Sequence, residues 1–571
     1  MTATKAKTPA KRVTRAVSVI PGEKLNIVRG GFAAQGLDDV PETLVRRSGS
    51  IGRTTAVVVR GASAGQVHVT MDGAHIASPT TGSFDFNHIT PDNLDRMEVL
   101  RGPHSVLFGS DAMGGVINLV TKRGEGPFKA SYTQEVGGQH TTRELAVFQG
   151  ATGPWHLSGS ASRMDSDGHS DNDEYENTNL STRIGYDFSE DTTLDFSLRH
   201  IFAVVGLDDG PFRPDPNHNA RDRQTIATGK LETQVTDWWS QMFRLSSSIG
   251  NLIDSDPHHR NVIETNPLTK LDTERYGAEW MNRFTPVEWD TVTVGFEYED
   301  READRRTGGA NANFTKAQGT RAVYVQNQLN IFDSLTLVNG VRFFRESAFG
   351  SGQVVDASLA YFFAPWNMKL RSGWGQGFRA PSLNELFSPN FGNPNLAAEK
   401  SETYEVGAEQ VLWNDRVNWS GTLFQTNYED LIQITRISAT QSAPVNVGRS
   451  RIDGAELEIE LKPLHPWTLA GSFTHLEAKE RPSGEELLRI PKNTVGFSVR
   501  FEPESKWEAR IDGLLISSRE ESTATNTRNE TKGYLKLDLY AQYRFAPCAK
   551  GYVRVDNITD ENYSEVLGFP A

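Results

Sequence analysis

Residues 92–124 read DNLDRMEVLRGPHSVLFGSDAMGGVINLVTKRG, and the reading of this stretch decides the fold. Asp92 to Met97 is predicted as a short helix and Glu98 to Leu100 as a strand, followed by a tight Arg101-Gly102-Pro103 corner and a second strand. Between the strands lie Phe108-Gly109-Ser110-Asp111 and Gly114-Gly115, where glycine permits the positive φ that compact reversals need. Upstream lie two further segments, Val57-Val58-Val59-Arg60-Gly61 and Val67 to Gly73. Gly61-Ala62-Ser63-Ala64-Gly65 matches the G-x-S-x-G nucleophile elbow, but an elbow must lead into a helix. Gln66 to Thr70 is instead an alternating, β-type run, so a serine hydrolase is a poor reading. With no Walker loop, H-E-x-x-H or CxxC anywhere, the sequence offers no catalytic constellation.

The remainder of the chain has a different texture. No run of eighteen apolar residues exists, so no transmembrane helix is expected. A β-barrel escapes that criterion because lipid-facing and lumen-facing residues alternate. Tyr534 to Phe545, YLKLDLYAQYRF, writes the alternation plainly, with Leu535, Leu537, Leu539, Ala541, Tyr543 and Phe545 on one face. Lys536, Asp538, Gln542 and Arg544 fall on the other. Ala455 to Leu461 and Thr291 to Glu299 repeat the pattern. Strand starts are predicted near residues 128, 141, 155, 178, 192, 222, 238, 273, 289, 316, 335, 354, 366, 401, 416, 445, 467, 490, 506, 531 and 551, about twenty-one in all. The net charge of −14 argues against nucleic acid as a partner. Cys548 is the only cysteine, so no intrachain disulfide exists.

The 92–124 stretch resembles the end of the plug domain of TonB-dependent outer-membrane receptors. Arg60, Gly61, Asp72, Gly73, Glu98, Arg101, Gly102, Pro103, Gly109, Gly114, Gly115 and Asn118 carry that likeness, and Val57 to Gly61 followed by Val67 to Gly73 looks like the plug's central hairpin. Further resemblances are Gly377-Phe378-Arg379-Ala380-Pro381-Ser382-Leu383 with Gly392-Asn393-Pro394-Asn395-Leu396, Asn446-Val447-Gly448 through Glu456, and Asp556 to Tyr563. These last segments read as turn and strand-start residues that build the barrel. The resemblance implies an all-β membrane barrel, twenty-two antiparallel strands in the family, with an N-terminal α+β plug in its lumen. Residues 1–125 would hold a TonB-box remnant and the plug, and 126–571 a barrel lacking its C-terminal strand.

The implied activity is import across the bacterial outer membrane, without covalent catalysis, by energy-coupled rearrangement of the plug. The implied partners are the TonB–ExbB–ExbD complex, outer-membrane lipid and lipopolysaccharide, and a small metal-chelate ligand, acting on a monomer. The family's TonB box is an extended V-V-T-A-like stretch offered for β-augmentation. Here Met1 and Thr2, Ala3, Thr4 keep half of it, and the basic start carries no apolar h-region, so the chain is expected to begin inside the box. A receptor-transducer would need a further domain ahead of the box.

Among subfamilies the plug and the 377–396 segment look closest to cobalamin receptors, with ferric-siderophore receptors the alternative. No cofactor is required by this reading, but calcium is a candidate in the acidic loop, through Asp165, Asp167, Asp171 and Asp173, since clustered carboxylates suit a hard cation. Ligand contact is expected at the plug's apical turn, at Ser78, Thr80, Thr81 and Ser83.

Overall fold

The computed structural model describes residues 5, 9–27, 31–208, 215, 217–256, 258–259, 262–263, 268–308, 313–332, 334–389, 391–436, 442–522, 528–567 and 569–570. Twenty-one strands, from Lys129–Val136 to Ala549–Val555, form a closed barrel. Each predicted start lies within about five residues of an observed one; the largest offset is the strand expected near Thr273, which begins at Leu268. Sequential neighbours pair antiparallel, as Val417↔Leu461 does in the longest ladder. An odd number of alternating strands leaves the first and last running in the same direction. Across that seam the Tyr552 hydroxyl donates to Glu135.

Alternation sorts the wall into two environments. Leu535, Tyr543 and Phe545 face outward and exposed, whereas Asp538 and Tyr540 of the same strand are buried toward the lumen. Exposed tryptophans 155, 238, 289, 366, 413, 467 and 507 all sit at the short connections, forming an aromatic ring around one end. Such rings belong at a membrane–water interface, where an amphipathic indole is half wet. Among the described residues no helix is long and apolar enough to cross a membrane.

Inside the barrel lies a plug built from β1 (Val17–Pro21), β2 (Thr43–Arg47), β3 (Thr55–Val59), β4 (Val67–Met71), β5 (Ala74–His75), β6 (Leu94–Arg101) and β7 (Gly115–Thr121). Its main sheet runs β1-β6-β7-β4-β5, and β2–β3 form a separate ladder. Val69, Met71, Met97, Val99, Ile117 and Leu119 pack one face of the sheet into the largest apolar core. The other face carries Thr70, Glu98 and Asn118, hydrogen-bonded to one another.

Two expectations are corrected here. Residues 92–97 are not helical: Leu94–Arg101 is one continuous strand, because Leu94, Met97 and Val99 are needed in the core and β1 and β7 supply ladders on both edges. The helical turn falls later, at Ser105–Phe108. Nor do β3 and β4 pair as a hairpin. β3 pairs with β2, and β4 runs parallel to β7, Val67 beside Gly115.

Candidate functional site

The most extensive buried ion network among the described residues joins the plug to the barrel wall. At its centre Arg60, 1% exposed, spreads its guanidinium over three carboxylates. Nε donates to Glu42 at 2.5 Å, Nη1 to Glu405 at 2.6 Å and Nη2 to Glu456 at 2.6 Å, with the Phe424 ring 4.3 Å away. Arg101 donates to the second oxygen of Glu456 at 2.6 Å, and Arg15 reaches Glu405 at 3.3 Å. Three plug arginines therefore hold one plug and two barrel carboxylates. Arg60 and Glu42 both adopt left-handed φ, 53° and 62°, a strained backbone that the paired side chains hold in place. Burial pushes the Glu42 carboxyl well above the usual carboxylate range, against the downward pull of Arg60. The motif pointed to Arg60 and Arg101. Glu42, Glu405 and Arg15 escaped it, and Glu456 entered only as the end of a turn motif; the available signal was an acidic residue on the lumen face of a barrel strand.

A second latch joins the Ser105–Asp111 turn to the 377–383 segment. Phe378 N donates to Ser105 Oγ (3.2 Å), Ala380 N to Ser110 Oγ (2.9 Å) and Asp111 N to Phe378 O (3.0 Å). Phe378 stacks on Phe344, centroids 4.0 Å apart, and Arg379 clamps Glu385 and Glu399. Asn393 and Asn446 tie their loops together through backbone contacts to Pro444 and Ala397.

The remaining motif residues shape this seat. Asp72 accepts from Thr121 N and Oγ at 2.9 and 2.8 Å, and a Cβ on Gly73 would stand 1.9 Å from Arg244. Glu98 takes Arg96 and Asn118. Pro103 is buried, with Gly102 N on Gly114 O. Gly109, at φ 78°, lets Arg342 come close. Ser63, suspected as an elbow, sits before a 3-10 turn that runs directly into β4, its N–H on Gln66 Oε1 at 2.9 Å.

Of the apical residues, Thr81 is exposed, Ser78 and Ser83 are half-buried, and Thr80 is buried. Ser78 N donates to Ser83 O, and the Pro79 carbonyl accepts from Leu383 N. The four acidic-loop carboxylates are not brought together. Asp165 is gripped by Arg163, Asp167 meets His140 at 2.6 Å, Asp173 turns inward to Ser50 at 2.5 Å, and Asp171 is exposed. Thr2, Ala3 and Thr4 lie outside the described residues.

Between plug and wall, toward the short-turn end, lies a cavity of about 1050 Å³. Asp72, Arg96, Lys122, Arg183, Glu232 and Arg244 line part of it. Phe108, Val120, Met242 and Met281 add apolar surface, so the walls mix apolar groups with charges of both signs.

Buried titratable groups make the plug pH-sensitive. Burial raises Asp85 to about 7, although Thr55 N and Asn87 N both donate to its Oδ1, at 2.8 and 3.1 Å. Burial lowers His88 and His104 to about 3. A raised carboxyl contributes stability that is full at low pH and lost as pH rises through 7. The histidines have the opposite sign: their contribution is present above about pH 6.5 and lost as pH falls toward 3. Asp85→Asn keeps an acceptor for both amides. It should therefore raise the plug's unfolding temperature clearly more at pH 8 than at pH 5, since the ionisation penalty builds up from about pH 4 to pH 7, by scanning calorimetry. An equal shift at both pH values would sink this account.

Residues 9–116 match the family model for the TonB-dependent receptor plug domain, and residues 127–558 match that for the TonB-dependent receptor-like β-barrel. The chain belongs to the TonB-dependent receptor family. It is thus a bacterial outer-membrane receptor for energy-coupled uptake of a small ligand, and not an enzyme. The receptor is 26% identical to the vitamin B12 transporter BtuB of Photobacterium profundum, across 99% of this chain and 91% of that one. To BtuB of Vibrio vulnificus it is 24% identical, across 96% and 89%. Among solved structures it superposes on the copper transporter OprC with TM-score 0.83 at 15% identity, covering 96% of this chain and 95% of that one. The siderophore receptor PirA of Acinetobacter baumannii gives 0.81 at 16%, covering 97% and 96%. At such identities the structures speak for the fold alone.

Proposed function

We propose that this receptor imports a cobalamin, with uptake driven through the TonB–ExbB–ExbD complex. The likeness to vitamin B12 transporters along almost the whole chain carries this reading. Ligand enters from the long-loop end, meets the plug near Thr81 and Ser83, and shifts the plug's populations only by its differential affinity for the two states. TonB engages the extreme N-terminus, around Thr2, Ala3 and Thr4, by strand addition. Outer-leaflet lipopolysaccharide surrounds the apolar band. Calcium, on this reading, would draw Asp165, Asp167, Asp171 and Asp173 from their present partners and order the outer loop.

The test is equilibrium binding of cyanocobalamin and of a ferric siderophore to the purified receptor, with and without a calcium chelator. It is paired with cobalamin uptake by cells lacking their own receptor, with TonB present or deleted. Saturable cobalamin binding without siderophore competition, and uptake lost on TonB deletion, are expected. Siderophore binding with no cobalamin binding would transfer the receptor to the other substrate class, and chelator-insensitive binding would remove calcium.

A further inference from the structure

We propose that His68, His75 and Asp111 form a site for one first-row divalent transition metal, of the Zn²⁺ class, within the plug. One ring nitrogen of each histidine and a carboxylate oxygen of Asp111 lie within 4.8 Å of one another. His75 Nε2 and Asp111 Oδ2 stand 3.5 Å apart. Both atoms are buried, and neither has a hydrogen-bond partner among the described residues. Donors on a tetrahedral metal, each about 2.0–2.1 Å from it, sit roughly 3.4 Å apart, so this pair is already at ligand spacing. The two imidazoles stack, centroids 4.1 Å apart, which presents them to a common neighbour.

The surroundings of His68 orient its ring as a metal ligand requires. His68 Nδ1 lies 2.9 Å from the Ser110 carbonyl, which can only accept, so Nδ1 carries the proton and Nε2 the lone pair. Ligation through Nε2 keeps that bond; ligation through Nδ1 exchanges it for the metal. His75 Nδ1 lies 3.1 Å from Glu299, the carboxylate–histidine arrangement that raises ligand basicity. Arg275 Nη1, 2.8 Å from the same nitrogen, can only donate to it, so ligation through Nε2 requires Nδ1 to exchange the Arg275 contact for a donated bond to Glu299, which Arg275 itself also holds. Two nitrogens and one oxygen select zinc, cobalt, nickel or copper over calcium or magnesium.

The ligands come from β4, β5 and the turn latched to Phe378, so the metal would staple the β4–β5 arm to the plug's anchorage. This holds whatever the imported solute. The full-length receptor in detergent, stripped by chelator, is titrated with Zn²⁺ calorimetrically and with Co²⁺ by visible absorption, and exchange of the 67–75 amides is followed with and without Zn²⁺. One metal per chain and slower exchange at those amides are expected. His68→Ala and His75→Ala should each weaken binding at least about 10-fold, and Glu299→Gln by about 10–100-fold. The unmutated receptor failing to bind one equivalent, or a His68→Ala/His75→Ala chain binding as tightly, would overturn the proposal. The first measurement needs no variant to fold.

Discussion

Arg60→Ala is expected to weaken the seating of the plug by about 3–5 kcal/mol, the usual cost of removing one partner from a buried ion network. Its guanidinium touches all three of Glu42, Glu405 and Glu456 at 2.6 Å or less. Without it, Glu456 keeps Arg101 and Glu405 keeps the longer Arg15 contact, whereas Oε2 of the buried Glu42 carboxylate loses its Nε donor. Because Glu405 and Glu456 belong to different barrel strands, the loss falls on the plug–wall interface more than on the plug's own core. Faster hydrogen exchange across β3 and greater sensitivity of cells to large, normally excluded antibiotics should follow. A cycle with Glu42→Gln separates network from packing: the double variant should lose clearly less than the two single losses added together. Additive losses would mean that Arg60 acts through its stem and the Phe424 ring, and the network account would fail.

Where the sequence was legible, the reason was periodicity. Barrel strands have one apolar and one wet face, so YLKLDLYAQYRF announced itself and its neighbours followed at regular spacing. The central plug strands β4, β6 and β7 are largely buried on both faces, polar Thr70, Glu98 and Asn118 included. In Leu94–Arg101 the alternation is plain only at Met97-Glu98-Val99, while Leu94 and Met97 stand three apart, so a helix could be read over its first half. Arg60 and Arg101 were visible as motif letters. Their partners were not, because Glu405 and Glu456 lie 345 and 396 residues from Arg60, and no local pattern records which lumen-facing acid meets which plug cation. The acidic loop failed differently: four carboxylates close in sequence went to four surroundings, with Arg163 and His140 taking two and the plug a third. Proximity along a loop does not specify convergence in space. The same limit concealed His68, His75 and Asp111, which are ordinary apart and adjacent only after β4 pairs with β7.

Gly115→Ala should damage the plug severely for a change of one methyl, because the added carbon has nowhere to go. It would stand 2.5 Å from the Leu100 carbonyl and 3.0 Å from a Val59 methyl. The first of these is backbone in the adjacent strand β6, where Leu100 pairs with Val116 and Arg101 with Gly115. Relief requires opening the ladder that carries Glu98, Asn118 and the corner at Gly102. Overpacking in a rigid core costs about 1–3 kcal/mol, and the upper end or beyond applies when the obstacle is main chain. Gly138→Ala makes the comparison: no atom lies within 4 Å of its Cβ position and its φ is not positive, so a change within about 0.5 kcal/mol is expected. Tryptophan fluorescence would miss the difference, since the first tryptophan is Trp155 in the barrel. Exchange of the β6 and β7 amides reports it directly, and should accelerate in Gly115→Ala while the barrel amides stay protected. Equal protection of β6 and β7 in both variants would show that the plug has slack at this corner, and that Gly114-Gly115 answers to some demand other than close packing.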